Sequence, residues 1–168
     1  MQAGQTGHYV LSTIHTIDAV EVITRLRKLG IPDYDIASTL ATTISQRLVR
    51  KLCPECKRER DFTNEEKQIM QSVADRYGEK LDLKNAKTYD AVGCKKCHNT
   101  GYYDRIGIFE ILDVTEDLKE LIMEGTSSIE IKKQALKNGY RPLCIDGIRK
   151  VLAGVTSLEE LNRKILIF

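Results

Sequence analysis

The sequence predicts an α/β chain interrupted by a cysteine-clamped insert and closed by a helical lobe. Three observations carry that prediction. Short runs rich in β-branched and aromatic residues occur at residues 8–14, at 46–53 and after residue 99. Helix-period stretches with start and stop residues separate and follow them. Two C-x-x-C pairs stand 37 residues apart, which marks an insert between them. The expected division is 1–52, 53–104 and 105–168, the insert being the middle segment.

The elements follow in order. "HYVLSTI" at 8–14 reads as a buried strand. "DAVEVITRLRKLG" reads as a helix, with Asp18 as cap and Glu21 placed to close a capping box. Ala19, Val22, Ile23, Leu26 and Leu29 fall on one face of that helix, and Gly30 ends it. "PDYDIASTLATTI" is expected to be a second helix, and "QRLVRKLC" a strand that delivers the first cysteine pair. Thr63 with Glu66 forms another capping box, for a helix over 64–77 that stops near Gly78. "NTGYYDRIGIFEIL" returns as a turn and a strand. Beyond it the period is helical, with starts at Thr115, at Ser127 or Ser128 and at "TSLEE", and stops at Gly139 and Gly154.

Bulk properties exclude several classes. The formal charge of +2 is too slight to indicate nucleic-acid binding by itself. No apolar run approaches the ~20 residues of a membrane span, and no secretory signal opens the chain. The odd cysteine count without such a signal argues against a disulfide framework and for a reducing, cytoplasmic setting.

Four of the five cysteines form "CPEC" (Cys53, Cys56) and "CKKC" (Cys94, Cys97). A tight turn can aim both sulfurs of such a pair inward, and two turns complete a tetrahedral cage for zinc. Lys51, Lys57, Arg58, Lys95 and Lys96 supply a positive surrounding that favours thiolates. A closed all-thiolate set leaves no open position, so the zinc is expected to be structural. Its binding contributes roughly 10 to 16 kcal/mol by analogy with finger peptides. Two alternatives stand beside this: a redox pair, which leaves the other pair unexplained, and His98 in place of a neighbouring cysteine. Cys144 shares a helix face with Ile148 and Val151 and reads as a small buried hydrophobe.

"TGHYVLSTIHTIDA", "QRLVRKLCPEC", "GCKKCHNTGYYDRIGIFEIL" and "TSLEEL", in that order, closely resemble the carboxyl-terminal part of the secretion ATPases of bacterial type II secretion and type IV pilus assembly. The resemblance runs over essentially the whole chain. It implies that 1–52 is the end of a RecA-like ATPase core, that the first segment is a His box, and that the cysteines carry zinc. It also implies a cytoplasmic homohexamer, with ATP and magnesium in the full-length parent. Its partners would be other subunits and the inner-membrane platform, to which it is peripheral, with no nucleic acid and no insertion into the membrane. Ile17 stands where members usually have Asn, and Asp104 where glycine is common. No G-x-x-x-x-G-K-[ST] occurs in the sequence, so the chain is expected to be an excised piece, inactive alone and with an exposed edge on its truncated sheet.

Ligands of open α/β sheets sit beyond the carboxyl ends of strands, which is where His15 falls in this reading. A neutral imidazole there can couple a terminal phosphate to a neighbouring side chain. His8, at the other end of the strand, cannot reach the same point and is expected to orient a loop or an adjacent subunit. A satisfied structural histidine is the plainer alternative for both. Arginine suits phosphate through its planar fork, which makes Arg47 and Arg50 hard to dismiss. Arg47 is kept as a nucleotide or interface candidate, with a solvated basic strand as the alternative. Arg25, four residues after Glu21, is explained equally by a surface ion pair. A second function class remains open: a zinc-supported interaction module without catalysis, in the extreme a nucleic-acid binder. Against that extreme, only Tyr102 and Tyr103 stand near the knuckles for stacking.

Overall fold

Asp18 shows how local signals become structure. Its Oδ1 accepts from the Glu21 amide at 2.9 Å, and its Oδ2 meets Lys132 Nζ at 2.7 Å. The helix thus started runs over Glu21–Lys28, and Gly30 takes the left-handed φ of +81° that ends it. The computed structural model describes residues 2–165, so residues 166–168 of the expected carboxyl lobe lie outside the described ones.

The elements are α1 (Gln2–Gln5), α2 (Glu21–Lys28), α3 (Asp33–Thr39), β1 (Thr42–Leu52), β2 (Lys57–Asp61), α4 (Asn64–Arg76), β3 (Lys87–Ala91), β4 (Tyr102–Asp113), α5 (Glu116–Met123), α6 (Ser128–Lys137), α7 (Leu143–Leu152) and α8 (Leu158–Ile165). A mixed helix-and-strand chain is therefore observed. β1 pairs with β4, and β2 pairs antiparallel with β3, from Lys57 opposite Ala91 to Asp61 opposite Lys87.

Two compact units divide the chain. One holds residues up to Ser45 together with Glu110–Arg141, and the other holds Gln46–Phe109 with the stretch from Pro142 onward. In the first, Ile23, Ile36, Leu112, Leu118, Ile122 and Ile131 form a core with at most 1% exposure. Arg27 ties α2 to the end of α5 by donating to the carbonyls of Ile122 (3.0 Å) and Thr126 (2.7 Å) while pairing with Asp33. Both acceptors lie at or just past the carboxyl end of α5, where a cation also meets the negative end of the helix dipole. The buried Glu110 and Thr43 hold the backbone of Ala19: Glu110 accepts from its amide at 2.6 Å, and the Thr43 hydroxyl donates to its carbonyl at 2.8 Å.

In the second unit Val49, Met70, Ile108, Ile145, Ile148 and Leu161 make the core. Gly147 lets α7 approach α8 closely, since a Cβ there would come within 2.3 Å of Leu161 Cδ1. α4 begins with the full capping box: Thr63 Oγ1 accepts from the Glu66 amide, and Glu66 accepts from the Thr63 amide. Cys144 is half-buried against this core, as its helix face suggests.

Three expectations are corrected. Residues 8–16 carry no regular structure, and Tyr9 and Leu11 are fully exposed. A strand is stable only beside another, and among the described residues both sheets are built from other segments. The helix expected from "PDYDIASTLATTI" stops at Thr39, because Thr42, Thr43 and Ile44 are β-branched and begin β1 instead. Leu29, expected on the buried face of α2, is 58% exposed.

Candidate metal centre

Cys53 and Cys56 sit where β1 gives way to β2, and Cys94 and Cys97 lie between β3 and β4. Each pair is folded by a turn: the amides of Cys56 and Lys57 donate to the Cys53 carbonyl, and that of Asn99 to the Cys94 carbonyl. The pairing of β2 with β3 brings the two turns together. All four sulfurs then lie within 4.8 Å of one another, and Cys53–Cys94, Cys56–Cys97 and Cys94–Cys97 are each 3.8 Å apart. A tetrahedron with metal–sulfur bonds of about 2.3 Å has edges of about 3.8 Å. The thiols are all free, so no disulfide competes for them.

The surrounding backbone is built for charge on sulfur. Gly93 N–H points at Cys56 Sγ (3.3 Å), and the amides of Cys94 (3.2 Å) and Gly101 (3.3 Å) point at Cys97 Sγ. Two glycines permit this approach. A Cβ on Gly93 would lie 2.8 Å from the Asn99 carbonyl oxygen, and one on Gly101 would lie 2.6 Å from Ala91. His98 and Asn99 take left-handed φ of 52° and 59° to complete the second turn.

Ionisation is uneven across the set. Burial opposes a Cys97 thiolate, but the two amides and the neighbouring thiols outweigh it and bring the group down to about 6. Burial pushes Cys56 up to about 12, with the Gly93 amide and the other thiols acting on it as well. The thiolate is thus favoured at Cys97 and opposed at Cys56. A bound cation supplies what the thiols lack, and the four sulfurs fit a metal such as zinc. His98 is exposed and stands outside the cluster, and a redox pair would leave the convergence of the second pair unexplained.

A buried carboxylate braces the same unit. Glu160, wholly buried, accepts from the backbone and guanidinium of Arg50 and from Arg163, all within 3.1 Å. Burial acts against its charge, yet the two arginines hold it down to about 2. Arg50 lies 3.9 Å over the Tyr102 ring, and the Tyr102 hydroxyl is 2.7 Å from Ser157 Oγ, which accepts from the Glu160 amide. Arg50 is thereby occupied in structure. Sequence reasoning missed Glu160; its only signal was a second acid in "TSLEE", indistinguishable from a helix-capping one.

The other candidates separate. His15 and Arg25, with Lys28 and Glu21, line one shallow hollow of about 140 Å³ in the first unit. His8 is exposed, with Nδ1 3.1 Å from Thr6 Oγ1, and Arg47 is exposed on β1. Asp104, where the resemblance leads one to expect glycine, takes φ +72°. The backbone there does adopt the conformation that glycine favours, and Asp104 tolerates it by accepting from the Arg105 amide at 2.7 Å.

A family model described as "Type II/IV secretion system protein" matches residues 1–163. The chain belongs to that family. It is 42% identical over 163 residues to the type IV pilus assembly ATPase PilB of Pseudomonas aeruginosa, covering 97% of this chain and 28% of that protein. It is 42% identical to the type II secretion system ATPase E of Vibrio cholerae and 38% identical to the type II secretion system protein E of Aeromonas hydrophila, covering 97% of this chain and 31% of each relative. The chain thus spans less than a third of the length of these relatives.

Proposed function

We propose that this chain is the carboxyl-terminal portion of a hexameric motor ATPase that drives type II secretion or type IV pilus assembly. The match to the family over nearly the whole chain, joined to a four-thiol cage of the right size, supports that reading. Zinc is the metal proposed, in a structural role, because four thiolates close its coordination sphere. The activity belongs to the parent: its RecA-like core binds ATP and magnesium, and the chain alone does not turn over.

Within the parent, His15 takes the phosphate side of the nucleotide site with Arg25 beside it in the same hollow. His8 and Arg47 serve subunit contacts or nucleotide. The partners are other copies in a homohexamer and proteins of an inner-membrane platform, reached from the cytoplasm. No helix among the described residues is long and apolar enough to cross a membrane.

Elemental analysis of protein purified without chelator tests the metal, and one zinc per chain is expected. A phosphate-release assay tests the division of labour. Sustained magnesium-dependent ATP hydrolysis by this chain alone would overturn it.

A further inference from the structure

The second unit carries a groove of about 710 Å³ that none of the nucleotide-side residues enters. Its walls come from β2, β3, α4 and α8. Ile69, Ala91, Val92 and Leu158 give it apolar lining, and Val92 is 53% exposed there.

The charges around it decide what it can hold. Arg60 is engaged: Nε donates to Asp90 at 2.8 Å, Nη1 and Nη2 donate to Glu66 at 2.8 and 2.7 Å, and Nη1 also reaches the Asp61 carbonyl. Four of its five N–H donors are thus taken, and its charge is met by two carboxylates. Arg58 is exposed and only 3.6 Å from Asp90. Glu65 and Glu159 also line the groove, both exposed, and neither has a hydrogen-bond or ion-pair partner among the described residues. Four carboxylates therefore face two guanidinium groups, one of which is spent. The surplus is negative and sits beside apolar surface.

We propose that this groove docks a polypeptide segment in which lysine or arginine flanks one or more large apolar side chains. The apolar side chain covers Val92 and its neighbours, and the basic groups meet Glu65 and Glu159. Complementary charge of this kind sets orientation and selects against acidic partners more than it adds affinity. The groove lies in the size range of pockets that enclose a small ligand or a few side chains, rather than a whole domain face. The shape of the site owes much to fixed contacts: Tyr89 lies under Lys57 Nζ at 4.4 Å, and that amine donates to the Gly154 carbonyl at 2.8 Å.

The test is selection of a random decapeptide library displayed on phage against the whole chain as purified, followed by anisotropy with fluorescein-labelled peptides of the enriched sequences. The expected consensus pairs basic with large apolar residues. Binding should weaken at least tenfold in Glu65→Lys/Glu159→Lys and in Val92→Asp, and should fall as salt rises. Thermal melts check that each variant folds; where one does not, Glu65→Gln/Glu159→Gln is read instead, with a severalfold loss expected. An acidic consensus, a consensus without basic residues, or peptides indifferent to all these variants overturns the proposal. So does full competition by spermine with no preference for apolar side chains, which would make the groove a polyamine site. Neither result touches the metal or the ATPase assignment, which rest on other residues.

Discussion

Glu160 has no solvent exposure and two arginines on it, which makes its charge useful only while both partners remain. Removing the carboxylate unpairs the Arg50 amide and two guanidinium groups that still reach solvent, at a cost of about 1–3 kcal/mol. Urea unfolding of Glu160→Ala should show a loss of that order. The pH dependence has a definite sign. With a folded value of about 2 against an ordinary 4.5, the group's contribution is complete above pH 4.5 and fades as pH falls towards 2. The shift corresponds to about 3 kcal/mol. In Glu160→Gln that acid-dependent component should be absent, and an unchanged acid limb would refute the assignment. Asp104 makes an opposite prediction. Its left-handed backbone suits glycine, so Asp104→Gly should be neutral or stabilising by up to ~1 kcal/mol, while Asp104→Val should destabilise by more than that. Thermal unfolding of the pair distinguishes the two directions.

At the scale of elements, capping chemistry predicts well because it is local. Thr63→Ala removes one arm of the α4 box and should cost about 1 kcal/mol in denaturant unfolding, with amide exchange rising first at residues 64–67. The same locality explains what could be read in advance. Asp18, Ser127 and Ser157 act as helix starts where the sequence places them, and Gly30, Gly78, Gly139 and Gly154 take the left-handed stops. The two C-x-x-C pairs announce their cluster because spacing within a turn is a local property, although the 37 residues between them are not. What failed was non-local. Residues 8–14 have the composition of a strand, but composition does not supply a neighbour to pair with. β2 and β3 went unforeseen because "KRERD" and "KTYDA" are polar, lack the apolar alternation that marks a strand, and pair across some thirty positions of chain. Arg50 looked like a phosphate ligand because its partner lies 110 positions away.

For the whole molecule, the two cores are separate clusters, and the four clustered thiols all belong to the second unit. Stripping the metal with a strong chelator should therefore act unequally. Hydrogen exchange should accelerate over residues 53–61 and 87–101, while amides of α2, α5 and α6 keep their protection. Uniform acceleration across both units would contradict that separation. Cys94→Ser should reproduce the local effect and lower the metal content without melting the first core. The backbone passes from one unit to the other three times, at 45/46, 109/110 and 141/142, and the first two passages occur inside continuous strands. No single cut in the gene can therefore release either half intact. A biochemist who wants the first of them alone must rewire the polypeptide, joining Ser45 to Glu110 by a new bridge, because every simple truncation cuts through a unit.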